Sequence, residues 1–175
     1  MKKRDKGFTL IEILVYIAVS SIIMLAISSF FLWANRSNIK IKTSREVLTN
    51  SKRAMEIMIY EIKHAERIYA PTSVFSSSTG QLSLETKNYS QEGEIISYID
   101  FFICQEKLCL KKENQEPIIL TSEKVKIDSL NFFQLSSTST ASVQINLEIS
   151  YIAPSNKPEY QASVNTTSTA SLRTY

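Results

Sequence analysis

An unbroken apolar segment from Phe8 to Ala34 restricts the possible folds of this chain more than any other feature. Its 27 residues include a single charged side chain, Glu12, and neither glycine nor proline. As an α-helix rising ~1.5 Å per residue, the segment would be about 40 Å long, which exceeds the ~30 Å hydrocarbon core of a bilayer. Because apolar side chains surround the helix axis, the sequence predicts a helix that spans a membrane.

A short basic leader, residues 1–7, precedes the apolar segment. It carries four positive side chains against Asp5, and positive charge on one flank keeps that flank in the cytoplasm. We therefore expect the rest of the chain to lie on the other side of the membrane. A secretory signal peptide would have a shorter apolar region followed by a small-residue cleavage site. Here the small residue, Gly7, comes before the apolar segment.

Glu12 is the residue whose chemistry conflicts with a spanning helix. A carboxylate inside a membrane costs about 2.5–3.5 kcal/mol on insertion scales, so it indicates a function by default. The alternative is structural. Glu12 lies about one turn into the apolar segment, near enough to the cytoplasmic face for its side chain to extend to the headgroups.

The residues before Glu12 favour a functional role for this carboxylate over a structural one. The run from Gly7 to Glu12 reads GFTLIE, with a basic leader before it and an apolar helix after it. This arrangement resembles the prepilin signature of type IV pilins and type II secretion pseudopilins, and it covers roughly the first fifth of the chain. The resemblance implies that prepilin peptidase, a membrane aspartic protease, cuts after Gly7 and methylates the new amine of Phe8. It also implies that Glu12 is needed for assembly.

The resemblance implies a location and a set of partners as well. The chain would be a single-pass protein of the bacterial cytoplasmic (inner) membrane, with its N-terminus in the cytoplasm and its head outside, and would then enter a pilus or pseudopilus. Its partners would be prepilin peptidase, other pilin or pseudopilin subunits, an inner-membrane assembly platform and the lipid bilayer. In the filament, Glu12 would neutralise the Phe8 amine of a neighbour, because an ion pair recovers much of the cost of a charge in lipid.

Helical periodicity continues beyond the membrane segment. Between Thr43 and Tyr69, apolar residues recur at spacings of three and four, as in a helix with one buried stripe, and Pro71 should end it. The expected stripe is Val47, Leu48, Met55, Met58, Ile59, Ile62, Ala65 and Tyr69. The chain should therefore have four parts, which are a leader at 1–7, a transmembrane helix at 8–34, its amphipathic continuation at 35–70 and a β-rich globular head at 71–175.

The head contains segments rich in β-branched and aromatic residues, several with an apolar residue at every second position. Their short connections favour antiparallel pairing, so six or seven strands should form a sheet that covers the helix stripe. The predicted fold is α+β and pilin-like, with a long N-terminal helix packed on an antiparallel sheet. The strand segments are 81–86, 94–104, 107–112, 117–121, 124–135, 141–153 and 160–172, the last of them at an outer position.

The charged residues exclude few functions, but they are distributed unevenly along the chain. The leader supplies the whole net charge of +3, so a nucleic-acid partner is not indicated. Residues 35–70 carry eight lysines and arginines against four glutamates, whereas residues 71–175 carry eight against eleven acidic residues. A basic stem under an acidic head could pair with neighbouring subunits, and a solvated helix face would have the same composition.

Cys104 and Cys109 flank what reads as a hairpin turn. Outside the cytoplasm a disulfide is permitted, and two half-buried free thiols are the alternative. Their spacing fits neither a CxxC redox motif nor a paired zinc site. The only histidine, His64, is expected at a solvated position, and no phosphate loop, nucleophile motif, metal-ligand set or cofactor motif is present in the sequence. The chain is therefore predicted not to be an enzyme.

Two functions remain from different classes. The favoured one is a minor pilin or pseudopilin of a type II secretion pseudopilus or a type IV or competence pilus. The segment from Arg53 to Ile62 resembles the J-class minor pseudopilins, and Ser28-Ser29 stands where major pilins often have proline. Glu12 argues against the K class, which typically lacks it. The alternative is a membrane-anchored extracytoplasmic binding module or adhesin that needs neither cleavage nor Glu12.

Overall fold

The computed structural model describes residues 9–89, 95–136 and 141–173. These residues form one long α-helix followed by β-strands and a single 3-10 turn, Pro158–Tyr160, so the predicted α+β fold is confirmed. The elements are α1 (Leu10–His64), β1 (Arg67–Ile68), β2 (Leu82–Thr86), β3 (Ser97–Cys104), β4 (Lys107–Lys112), β5 (Ile118–Ile119), β6 (Val125–Ser136), β7 (Ala141–Tyr151) and β8 (Ser163–Ser171).

The chain divides into two compact units, Met1–Ile39 and Lys40–Tyr175, and α1 contributes residues to both. In the first unit, the large apolar side chains from Leu10 to Trp33 are at least half exposed, from Ile13 at 50% to Leu10 at 82%. An 18-residue window of this helix has a mean hydropathy of 2.5, and none of it is buried. The helix is therefore long and apolar enough to cross a membrane.

In the second unit, α1 buries one stripe of side chains at spacings of three and four. Val47, Met58 and Ile62 of the predicted stripe are fully buried. The prediction was wrong for Leu48, which is 56% exposed, because it follows Val47 and so points about 100° away around the helix. The stripe also includes polar residues. Its buried members are Thr43, Val47, Ser51, Ala54, Met55, Met58, Glu61 and Ile62.

The helix ends at His64, five residues before the expected end at Tyr69. The backbone beyond it pairs with β2 instead. The Glu66 N–H donates to the Glu85 carbonyl at 2.8 Å, and the Tyr69 N–H donates to the Ser83 carbonyl at 2.9 Å. Tertiary pairing has thus overridden the helical pattern over the last few residues.

The strands form two sheets rather than the single sheet expected. One has five strands in the order β1-β2-β3-β4-β5, and the other has three in the order β6-β7-β8. Neighbouring strands in both sheets are antiparallel, as their short connections predicted. The last strand, β8, lies at the edge of its sheet, as expected. The predicted start of the second strand segment at residue 94 lies outside the described residues.

Both sheets and the second part of α1 contribute to one hydrophobic core. The largest fully buried side chains are Phe101 of β3 and Phe132 of β6. In β7 the buried residues alternate with half-exposed ones because successive side chains point to opposite faces of a sheet. The buried set of β7 is Val143, Ile145, Leu147 and Ile149.

Gly80 lies where the loop before β2 packs tightly against the three-stranded sheet. Its N–H donates to the Leu130 carbonyl of β6 at 2.8 Å. A Cβ atom added at Gly80 would lie 2.8 Å from the same oxygen, which is shorter than a normal van der Waals contact. The loop can therefore lie against β6 at this distance because glycine has no side chain.

Candidate functional site

The N-terminal motif lies at the start of α1. Gly7 and Phe8, the predicted cleavage and methylation residues, are outside the described residues, whereas Thr9 and Glu12 are described. The Glu12 N–H donates to Thr9 Oγ1 at 3.3 Å, and the Thr9 N–H donates to Glu12 Oε2 at 3.5 Å. These reciprocal bonds form a capping box, which satisfies backbone donors that the first turn of a helix leaves free.

The capping role of Glu12 was missed at the level of the sequence. Its signal was present, because Thr9 and Glu12 form the T-x-x-E pattern that opens a helix. Glu12 therefore has a partner within its own chain, and its side chain is exposed. An exposed carboxylate whose partner is a weak neutral donor can exchange that donor for a positive charge, which forms a stronger hydrogen bond.

Polar side chains of the helix stripe hold the head on α1. Thr43 Oγ1 donates to the Glu159 carbonyl at 3.0 Å, and the hydroxyls of Ser51 and Thr166 lie 2.6 Å apart. These residues were not predicted, because serine and threonine in an amphipathic pattern are normally assigned to the solvent face.

A second polar contact lies one position from Ser51. The Ser122 N–H donates to Asn50 Oδ1 at 2.8 Å, and the Ser122 hydroxyl donates to Glu46 Oε1 at 2.8 Å. Asn50 Nδ2 also donates to the Glu46 side chain at 3.2 Å. The network fixes the segment between the two sheets against α1.

Cys104 and Cys109 lie in the hairpin of β3 and β4. Phe102 pairs with Cys109 in the strand register, so Cys104 and Cys109 are diagonal neighbours on one face. The structure joins them by a disulfide with a Cα–Cα distance of 5.9 Å, within the usual range for such bonds. The turn residues Gln105 and Glu106 both have positive φ, 48° and 59°, as in the tight turns that match the twist of a two-stranded hairpin.

The tip of this hairpin contacts the segment that leads into β6. Lys107 Nζ donates to the carbonyls of Ser122 at 3.2 Å and Glu123 at 3.0 Å, and also to that of Val125. The Ile127 N–H donates to the Glu106 carbonyl at 2.8 Å. The hairpin therefore positions the link between the two sheets, which is a structural role.

The other charged contacts are also structural. Glu85 is 3% exposed and accepts a 2.7 Å hydrogen bond from Arg67 Nε, and this bond and the charge of Glu85 raise the pKa of Arg67. Tyr89 donates to Glu61 Oε1 at 2.9 Å. Burial and then this hydrogen bond raise the pKa of Tyr89 to about 12.

His64 packs on Tyr60, with ring centroids 4.2 Å apart, and its Nδ1 lies 2.8 Å from the Tyr60 carbonyl. Across residues 9–89, 95–136 and 141–173, no three His, Cys, Asp or Glu side chains come together as a metal site. The contacts of His64 with Tyr60 are packing and hydrogen bonding within α1.

Comparison with known proteins finds a match at the N-terminal end of the chain. The prokaryotic N-terminal methylation motif matches residues 2–28, which include Gly7, Phe8 and Glu12. No curated protein and no solved structure matches the chain. The motif supports a type IV pilin-like protein, structural rather than enzymatic, and suggests processing by prepilin peptidase and assembly with other pilins. The exposed apolar helix is consistent with anchoring in the inner membrane.

Proposed function

We propose that the chain is a minor pilin or pseudopilin that is cut after Gly7, N-methylated on Phe8 and assembled into a type II secretion pseudopilus or a type IV or competence pilus. The observation that carries this proposal is the methylation motif at residues 2–28, which extends into a helix whose apolar surface is exposed. Such a surface is stable in lipid before assembly and among the helices of other subunits after it.

Glu12 has a different partner at each stage of this process. Before assembly its carboxylate accepts a hydrogen bond from the neutral backbone N–H of Thr9. In the filament, the methylated Phe8 amine of a neighbouring subunit offers a positive charge in a medium of low dielectric constant. The bond to Thr9 is long, at 3.5 Å, whereas the amine adds the attraction between two opposite charges, which is strong where the dielectric constant is low. The exchange therefore favours one register between subunits.

The minor, J-class assignment is the finer part of the proposal. It is supported by the resemblance of the segment from Arg53 to Ile62 and by Ser28-Ser29 at the usual place of the proline in major pilins. A subunit of this class would contact other minor subunits through its helix and its head.

The N-terminus of the mature protein tests the processing step. Mass spectrometry of the chain from cells with and without the processing peptidase should find N-methylated Phe8 as the first residue in the former and Met1 in the latter. An intact Met1 in both strains would refute processing. It would then favour the membrane-anchored binding module or adhesin.

Variants at the capping box separate the two roles of Glu12. Glu12→Gln keeps the cap, because glutamine at the third helical position also forms a capping box, but it cannot neutralise an amine. Thr9→Val removes the hydroxyl of the cap and keeps the charge. We expect Glu12→Gln to abolish incorporation into filaments and Thr9→Val to preserve it. Normal incorporation of Glu12→Gln would show that the charge of Glu12 is not required.

A further inference from the structure

A groove in the second unit is lined by three exposed cations. Lys42 and Arg45 lie one turn apart on the same face of α1, and Lys124 lies just before β6. Glu46 is the one carboxylate among the lining residues. We refer to Lys42, Arg45 and Lys124 as the basic groove.

The basic groove exists because the link between the two sheets is fixed against the helix. Ser122, two residues before Lys124, is bonded to Asn50 and to Glu46 of α1. On its other side, the Lys124 carbonyl accepts a hydrogen bond from the Ile152 N–H at 2.8 Å. Lys124 is thereby held beside the helix, although it is remote from the helix in sequence.

The cations of the basic groove are not neutralised by the described parts of the chain. No carboxylate of residues 9–89, 95–136 or 141–173 forms a salt bridge with any of the three. Other exposed cations in the same unit do have such partners, among them Lys52 with Glu56 and Lys87 with Glu66. Glu46 already accepts hydrogen bonds from Ser122 and Asn50. The groove therefore presents unpaired positive charge to an external anion.

The position of the groove along the chain identifies that anion. Lys42 follows Ala34, the end of the apolar segment, by eight residues of the same helix, and Arg36 and Lys40 lie between them. Basic residues directly beyond a membrane span attract anionic lipids. We propose that the basic groove binds the headgroups of anionic phospholipids in the leaflet from which the head emerges. This inference uses only the membrane anchoring of the proposed function, and not processing or assembly.

The expected effect follows from the charge count. Each lysine or arginine close to an anionic surface contributes on the order of fivefold to the association, so the three together contribute on the order of 100-fold at low salt. The attraction extends over a Debye length, which falls from about 10 Å at 0.1 M salt to about 3 Å at 1 M. The contact should therefore be strong at low ionic strength and absent in concentrated salt.

Lysine labelling in nanodiscs measures the contact directly. The full-length precursor would be placed in discs of phosphatidylcholine alone or with phosphatidylglycerol, and amine-reactive labelling would be followed by mass spectrometry. Labelling of Lys42 and Lys124 should slow several-fold in the anionic discs and recover in 1 M salt. Lys63 and Lys111 are exposed and do not line the groove, so they should label equally in both discs.

Charge-matched variants provide the second measurement. The single tryptophan, Trp33, can transfer excitation energy to dansyl-labelled phosphatidylglycerol, and this transfer reports lipid enrichment around the chain. A variant with Lys42→Gln, Arg45→Gln and Lys124→Gln should lose the enrichment. The control loses the same charge elsewhere, through glutamine at Arg53, Lys63 and Lys111, and should retain it.

Two results would overturn the proposal. One is equal labelling of the groove lysines in neutral and anionic discs, or equal enrichment in the two triple variants. The other is slow labelling of the groove lysines in neutral discs, if that labelling becomes slower as the number of chains per disc rises. That result would mean that carboxylates of a second copy occupy the groove. Neither result depends on cleavage after Gly7, so the outcome is separate from the test of processing.

Discussion

Replacing Ile62 by alanine should destabilise the second unit far more than replacing Leu48 by alanine. Both changes remove three carbon atoms from the same helix, and both residues belong to the apolar pattern of the sequence. In the structure Ile62 is fully buried, whereas Leu48 is 56% exposed. The comparison therefore isolates burial from composition and from helix propensity, which differs between leucine and isoleucine by only a few tenths of a kcal/mol.

The magnitudes follow from the burial of each side chain. Loss of three buried carbons costs about 0.8 kcal/mol each in transfer free energy, and the remaining cavity brings the total for Ile62→Ala to about 3–4 kcal/mol. For Leu48→Ala, the exposed position limits the loss to below about 1 kcal/mol. The measurement is urea unfolding of the full chain in detergent, monitored by near-ultraviolet circular dichroism of the tyrosines.

Equal losses of stability in the two variants would refute the assignment of the buried face of α1. A larger loss for Leu48→Ala would go further, because it would place the buried face of α1 on the side of Leu48. An unchanged urea dependence of the unfolding free energy in both variants is the internal check, since the comparison assumes the same exposed area on unfolding.

Three further changes have defined outcomes. Gly80→Ala should lower the unfolding free energy by about 1–3 kcal/mol in the same titration, because the added Cβ meets a backbone carbonyl of β6 at 2.8 Å. Replacing Cys104 and Cys109 by serine should cost no more than about 2 kcal/mol, because the bridge closes a short loop; a reducing agent should have no added effect on this variant. Tyr89, with a pKa raised to about 12 against about 10 when unfolded, should contribute stability that is complete below pH 10 and is lost as the pH rises through about 12. An ultraviolet difference titration between the native chain and Tyr89→Phe should show a tyrosinate component near pH 12, and a component near pH 10 would contradict the burial of its phenol.

The β-strands were largely predictable because their signals are local. The segment 107–112 matches β4 at both ends, and β7 follows the alternation of Val143, Ile145, Leu147 and Ile149. The division into two sheets was not predictable, since it depends on which strand edges meet after folding. The short strand β1 was missed for the same reason, because two residues carry no periodicity of their own.

The candidate site was predictable in its motif and not in its contacts. Gly7, Phe8 and Glu12 were selected by a short pattern that lies within the matched methylation motif. The basic groove could not be found in this way. It depends on Ser122 meeting Asn50, 72 residues away along the chain, and no local pattern reports that contact.

The sequence alone determined the apolar helix, its leader and the class of the fold, because hydrophobic length and the periods of helix and strand are properties of neighbouring residues. Tertiary structure decided where α1 ends, which polar residues join its buried stripe and which cations stand unpaired beside it. Those outcomes depend on competition between distant segments. The pairing of residues 66–69 with β2 ended the helix, and the hydrogen bonds of Ser122 placed Lys124 beside Lys42 and Arg45.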